Sequence, residues 1–299
     1  MAISRGILLA GGANSRLYPA TLAAPKSLLP VYDKPLIYYS LSVLMLAKIS
    51  DILIITTPIH LEAHERLLGD GKKWGVRFTY KAQDKPRGIA DALVLGSEFI
   101  NNEGVALALA DNIYYSGGLS GMLQQAAEQG KGATVFAYKV SDPSSFGVVT
   151  FDDNGQAVDL EEKPKKPKSP YAVTGLYFYD SEATKIAADL KPSARGEVEI
   201  TDVNREYLRR GTLHVQSLGR GATWFDTGTP DSLSEACDFV RAIQKGQNVM
   251  IASPEEIAWR NGWIDDKGLL KCAKELGKVP YGDYLRNLAN NDVNIPAAD

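Results

Sequence analysis

In the stretch LLAGGANSRLYPATLAAPKSLLP, residues 8–30, a turn of small residues follows an apolar run, and two cations, Arg16 and Lys26, stand just beyond it. Gly11 and Gly12 permit positive φ and close approach to a ligand, and Asn14 is the side chain that best tolerates a left-handed backbone after glycine. Successive N–H groups in such a turn form an anion-binding concavity. Arg16 adds a fork matched to phosphate and Lys26 adds a point charge. The chemistry these residues compose is the capture of something small and multiply anionic. A structural strand-to-helix turn with two solvated cations is the plainer reading, and the turn alone leaves both open.

Two carboxylates come next. Asp111 ends the apolar run GVALALAD, and Asp226 follows another short apolar run in TWFDTGTPDSL. Converging on a phosphate-bearing pocket, they would bind Mg2+, which takes oxygen ligands, several waters and substrate phosphate. Their separation in sequence does not bring them together, and an Asx turn, favoured by the neighbouring Asn112, explains Asp111 equally well. In LEEKP, Glu162 and Lys163 fall on alternate strand faces, so only one enters a given cleft unless the strand bends. Arg195 precedes Gly196 and a carboxylate-rich helix start, where solvation is the plain expectation. His60 and His64 are spaced i, i+4 without the surrounding HExxH pattern and read as a helix-surface pair. GxGxxG, the P-loop GK[ST] and GxSxG are all missing, as is a cysteine in a nucleophile setting.

The elements that must position these groups alternate over the first 140 residues. Strand-like runs at 6–10, 51–58, 76–83, 104–111 and 133–140 are separated by helical spacing at 36–48, 60–69, 89–100 and 119–130. Strands buried on both faces read this way, which predicts an α/β fold with a doubly wound, mostly parallel sheet. Ligands of such sheets sit beyond the carboxyl ends of the strands, where the opening turn and Asp111 both fall. From about 145 the texture is β-rich, beginning with a hairpin around DDNG at 152–155 and interrupted by helices near 182–190 and 198–209. This part reads as an extension of the sheet. From 232 the chain reads as helical, and Ile251, Ile257, Trp259, Trp263 and Ile264 call for packing on the main body or on another subunit. The polar end of the chain predicts a frayed terminus.

The 299 residues carry 33 basic and 36 acidic side chains, a formal charge of −3, which argues against a nucleic-acid partner. Cys237 and Cys272 are far apart and read as reduced thiols rather than a disulfide or zinc site. No apolar run reaches membrane-spanning length, and a cytoplasmic protein without a membrane partner is expected.

Six motifs in register, from the opening turn through ALADNIYY, DPSSFGVV, LEEKPKKPKSPYAVTGLYFYD, RGEVEITDVN and WFDTGTPDSL, closely resemble the bacterial glucose-1-phosphate thymidylyltransferases. The likeness runs from about residue 4 to 288. It implies a Rossmann-like nucleotidyltransferase domain over 1–240, with a nucleotide half to about 140 and a sugar part over 141–230. A helical assembly and regulatory segment would fill 241–299. It implies that Leu9, Gly11, Gly12, Asn14, Ser15 and Arg16 cradle dTTP, that Lys26 contacts phosphate, and that Gln83 and Gly88 read the thymine edge. Asp111 and Asp226 would hold Mg2+. Leu109, Phe146, Gly147, Glu162, Val173 and Tyr177 would contact the hexose of glucose 1-phosphate, Lys163 and Arg195 its phosphate, and Trp224 would close the pocket. A homotetramer with feedback by a downstream dTDP-sugar is also implied. Arg16, Lys26, Lys163 and Arg195 would be the catalytic cations of an in-line displacement that needs no protein nucleophile. Departures from the family pattern fall at Asn14, Ser27, Ala110, Phe146 and Pro230, where glycine, glutamine, glycine, tyrosine and histidine are usual. They bear on nucleotide or sugar preference and remove no charged group. A uridylyltransferase, a relative using another hexose 1-phosphate, and a non-catalytic sugar-nucleotide sensor are the competing readings.

Overall fold

Strand β1 (Arg5–Leu9) sits inside the sheet, with Ile7 buried in the core on one face and Leu8 in the core on the other. A strand apolar on both sides needs cover on both sides. The computed structural model describes residues 2–12 and 15–290. Ala13, Asn14 and the terminus over 291–299, where fraying is expected, lie outside the described residues.

In chain order, β1 is followed by a short ribbon, β2 (Pro30–Val31) and β3 (Lys34–Pro35), then helix α1 (Leu36–Leu46). Next come β4 (Asp51–Thr56), α2 (Leu61–Leu68), β5 (Arg77–Ala82), α3 (Asp91–Leu95) and α4 (Ser97–Ile100). Then follow β6 (Val105–Leu109), β7 (Asn112–Tyr115), α5 (Leu119–Gln129), β8 (Ala133–Lys139), β9 (Gly147–Phe151) and β10 (Ala157–Glu162). The chain continues with β11 (Tyr171–Tyr179), α6 (Ala183–Asp189), α7 (Ile200–Arg209), β12 (Leu213–Ser217) and β13 (Thr223–Asp226). Four helices end it: α8 (Pro230–Gln247), α9 (Pro254–Arg260), α10 (Asp266–Leu276) and α11 (Pro280–Asn290).

The main sheet runs β5-β4-β1-β6-β11-β8-β12, with the hairpin β9-β10 attached to the start of β11. Pairs β5/β4, β4/β1, β1/β6 and β8/β12 are parallel, whereas β11 runs antiparallel to β6 and β8. The expected mostly parallel α/β sheet is therefore present, with one reversed strand at its centre. That reversal leaves the carboxyl ends of β1, β4, β6 and β8 on one rim.

The single helix expected over 89–100 is two. Gly96 separates α3 from α4, and a Cβ there would fall 2.7 Å from Ile7 Cδ1, so close packing on β1 fixes a glycine at the break. The C-terminal helices pack on the body of the chain. Ile257, Ala258, Leu269, Tyr281 and Leu285 share one core with Ile52 and Trp74, and Trp259, Trp263 and Ile264 lie against it. Thr229 caps α8 with a box completed by Ser232, and Pro230 opens its first turn. Both cysteines are free thiols.

Candidate active site

The two carboxylates meet because β7 and β13 form a separate antiparallel ribbon. Its register sets Asp226 opposite Asn112 and Trp224 opposite Tyr114. Thr227 closes the end of the ribbon by donating from its N–H and its Oγ1 to the Asp111 carbonyl, at 3.2 and 2.9 Å. Between the carboxylates stands Lys26. Its Nζ lies 2.6 Å from Asp111 Oδ2 and 3.9 Å from Asp226 Oδ1, and the residue is 5% exposed. Burial, and then the charge of Asp111, push the Asp226 carboxyl up to about 6, against the opposing pull of Lys26, Arg16 and Lys163.

Arg16 joins this group over a glycine. A Cβ on Gly228 would fall 2.8 Å from Arg16 Nη2 and 3.1 Å from Asp226 Oδ2, so the bare backbone leaves room for the guanidinium. Among the described residues no cluster of three or more His, Cys, Asp or Glu side chains could hold a metal. Two carboxylates suit an ion that completes its shell with water and substrate phosphate, which is the habit of Mg2+. Asp111 and Asp226 fit that donor set.

A cleft of about 180 Å³ opens beside the pair. It gathers Arg16, Leu109, Asp111, Phe146, Gly147, Glu162, Lys163, Val173, Tyr177, Trp224 and Asp226 from distant parts of the chain. Glu162 and Lys163 both line it, although strand alternation would part them. Lys163 follows the last residue of β10 and has φ +44°, so the strand bends there and its N–H bonds the Phe146 carbonyl at 2.9 Å. Gly147 leaves space for Thr201 Oγ1, which a Cβ would approach to 2.8 Å, and the Thr201 hydroxyl donates to Glu162 Oε2. Phe146 and Trp224 meet edge to face, with ring centroids 5.1 Å apart.

The remaining expected residues that are described do not line this cleft. Gln83 is buried, donates to Asp91 Oδ2 at 2.9 Å, and lies within 3.1 Å of where a Cβ on Gly11 would stand. Leu9 ends β1 just before that glycine, Gly12 has φ +129°, and Ser15 is exposed. Asn14 lies outside the described residues. Gly88 has φ +106° and presses on the backbone of Val198, whose carbonyl would be 2.3 Å from a Cβ. Gly88→Ala should therefore lower stability by about 2 kcal/mol through strain and forced backbone movement. Urea unfolding curves unchanged by the substitution would refute this account. Arg195 is neither in the cleft wall nor simply solvated, because Glu199, Glu162 and Glu197 surround it.

Two readings of single residues need correction. His64 is no surface histidine: it is fully buried, its Nδ1 donates to the His60 carbonyl at 2.8 Å, and Ser27 Oγ donates to its Nε2 at 2.9 Å. Desolvation lowers its pKa, which keeps the ring neutral. Asn112 is more than a turn residue. Its Oδ1 accepts from Trp224 Nε1 at 2.6 Å and from the Gly175 N–H at 3.1 Å, while its Nδ2 donates to Asp111 Oδ1 at 2.8 Å. One amide thus fixes both the tryptophan and the carboxylate. A glycine inside the apolar run YAVTGLYFYD was the sequence signal for this close approach, since a Cβ on Gly175 would come within 2.8 Å of Asn112 Oδ1.

A largely parallel sheet whose strand ends carry paired carboxylates, interleaved cations and a polar cleft defines an α/β enzyme of phosphate-group chemistry. The chain belongs to the nucleotidyl transferase family, whose model matches residues 5–243. It is 56% identical over 284 residues to a glucose-1-phosphate thymidylyltransferase of Neisseria meningitidis, covering 95% of this chain and 99% of that one. A protein of the same name from Mycolicibacterium smegmatis is 56% identical over 288 residues, with 96% and 100% covered. Among solved structures, one from Bacillus anthracis assigned as a glucose-1-phosphate thymidylyltransferase and crystallised with sucrose matches with a TM-score of 0.74 at 44% identity. That match covers 79% of this chain and 95% of the other. A UDP-glucose pyrophosphorylase bound to UDP-glucose matches with a TM-score of 0.69 at 26% identity, covering 79% and 98%.

Proposed function

We propose that the protein transfers a thymidylyl group from dTTP to α-D-glucose 1-phosphate, giving dTDP-glucose and pyrophosphate. The observation that carries this reading is the meeting of Asp111 and Asp226 with Arg16, Lys26 and Lys163 at the mouth of the cleft walled by Glu162, Val173 and Trp224. An oxygen of the sugar phosphate attacks the α-phosphorus, the bond to the β-phosphate oxygen breaks opposite it, and the electron pair leaves with pyrophosphate. Bringing two anions together is the obstacle, so the work is positioning and charge neutralisation. Arg16 receives the charge that develops on pyrophosphate. Lys163 and Arg195 orient the attacking phosphate, Glu162 and the Gly147 backbone hold the hexose, and Gln83 and Gly88 present polar edges to the thymine. Enzymes of this family work with a divalent metal; Mg2+ held by Asp111 and Asp226 would supply charge neutralisation at the α-phosphate.

A second cleft, of about 210 Å³, lies between the end of β7, α5 and α9, where Tyr114, Tyr115, Ile257 and Arg260 face one another. Its mixture of aromatic walls and a Glu256–Arg260 pair at 2.8 Å suits a sugar nucleotide, and we assign feedback by a downstream dTDP-sugar to it. The working form in this reading is a cytoplasmic homotetramer. None of the helices described is long and apolar enough to cross a membrane.

The test is a matrix of dTTP, UTP, CTP, ATP and GTP against several hexose 1-phosphates, read as pyrophosphate release with and without Mg2+. Release should be fastest for dTTP with glucose 1-phosphate, require the metal, and fall when a dTDP-hexose is added. Faster turnover of UTP would transfer the assignment to a uridylyltransferase, and binding without release in any well would favour a sensor. Light scattering on the same stock tests the tetramer.

A further inference from the structure

The Arg195 side chain is bonded through Nε and Nη2 and not through Nη1. Its Nε and Nη2 take Glu199 as a fork, with Nε 3.1 Å from Oε1 and Nη2 2.9 Å from both Oε1 and Oε2. Nη2 also lies 3.2 Å from Glu162 Oε1 and 3.3 Å from Glu197 Oε2. Nη1 meets no acceptor among the described residues. With the side chain 39% exposed, Nη1 is left to water and is open to an incoming anion.

The carboxylate that takes the fork is itself fixed. Glu199 is 6% exposed, accepts from Ser193 Oγ at 2.7 Å, and stands at the N-cap of α7, directly before Ile200 and Thr201 of the cleft wall. The loop from Ser193 to Glu197 closes on itself through Ser193 N–H to the Glu197 carbonyl at 2.8 Å, with Gly196 at φ +77°. The next residue, Val198, is joined to the 87–90 segment: its N–H donates to the Arg87 carbonyl at 2.7 Å and its carbonyl accepts from Ala90 N–H at 3.2 Å. Arg195 thus hangs on a loop clamped at Ser193, Val198 and Glu199.

We propose that Glu199 is the positioning residue of Arg195, holding the Nε–Nη2 edge so that the Nη1 edge alone is presented to the phosphate of the sugar substrate. The proposal rests on the functional reading above and names a residue that reading leaves idle. Glu199 touches no substrate. It removes rotamer freedom from a long side chain before the phosphate arrives, and pre-organisation of this kind appears in the KM of the substrate being gripped.

The experiment is steady-state kinetics with Mg2+, varying each substrate at saturating levels of the other. Glu199→Gln should raise KM for glucose 1-phosphate at least about tenfold and leave KM for dTTP within about twofold, since the lost grip concerns one substrate. Glu199→Asp should recover part of the loss. The double variant Glu199→Gln/Arg195→Gln should be no worse than Arg195→Gln alone, because a positioning residue has nothing left to position. A KM for glucose 1-phosphate unchanged in Glu199→Gln, equal rises for both substrates, or losses that multiply in the double variant would each overturn the proposal. If Glu199→Gln does not fold, Ser193→Ala removes the hydroxyl that bonds Glu199 and accepts from the Arg195 N–H at 3.2 Å, leaves every charge in place, and its ratio of the two KM values decides instead. No turnover by the unaltered enzyme would defeat the functional reading. Turnover with Glu199 dispensable defeats only this inference.

Discussion

Asparagine at position 226 should lower kcat by about 10²–10³, the scale of a lost electrostatic group at a reacting phosphate, while making the free protein more stable. The sign of the second effect follows from the carboxyl being pushed up to about 6, by burial first and by Asp111 second. The folded chain then holds the Asp226 proton more tightly than the unfolded chain does. Stability is lost as pH rises from the ordinary carboxylate range through about 6, and above that the full penalty of the ionised pair is present. Asp226→Asn removes that penalty, a gain of about 1–3 kcal/mol at pH 7.5 that shrinks at pH 5. Thermal unfolding of both proteins at the two pH values, without divalent ions, reads the difference. Added Mg2+ should raise the midpoint of the unaltered protein and leave that of the variant nearly unmoved. A variant less stable than the parent at pH 7.5, or one with full activity, would remove Asp226 from the site.

Methionine in place of Lys26 should show a comparable loss of rate with the opposite change in stability. Lys26 is buried, with Nζ 2.6 Å from one carboxylate and 3.9 Å from the other. Taking away the cation leaves two partly buried negative charges facing each other, at a cost of about 2–4 kcal/mol. Methionine fills much the same volume, so the change is one of charge rather than packing. Mg2+ should then stabilise Lys26→Met more than it stabilises the parent, because the ion meets an uncompensated pair. Equal Mg2+ shifts in the two proteins would show that the lysine and the ion do not answer the same charges. Together the two variants separate rate from stability at a single centre.

Much of the parallel sheet was legible because doubly buried strands leave unbroken apolar runs, and β1, β4, β5, β6 and β8 lie within a residue or two of where those runs place them. The central position of β11 was not legible, since pairing between residues so far apart leaves no local trace. The same holds for the site. Asp111 and Asp226 each carried a local signal at a strand end, yet their convergence depends on the β7/β13 ribbon. Alternation placed Glu162 and Lys163 on opposite faces, and the backbone at Lys163 turns left-handed instead. Spacing sent His64 to the surface of α2, where the buried hydroxyl of Ser27 claims its ring. Asn112 looked like a turn residue because its partners, Trp224 and Gly175, come from far along the chain. The motifs supplied the residue types, and the tertiary pairings supplied their company.

The reversed strand at the centre of the sheet bears on how the chain can be made and cut. As it leaves the ribosome, β8 has no strand beside it: its partners are β11 and β12, both still to be synthesised, and β6 likewise waits for β11 along its outer edge. The outer edge of β6 therefore carries an unsatisfied row of amides until about residue 179 has emerged, a slow, long-range closure. A nick near residue 140 would yield two raw sheet margins rather than two working modules.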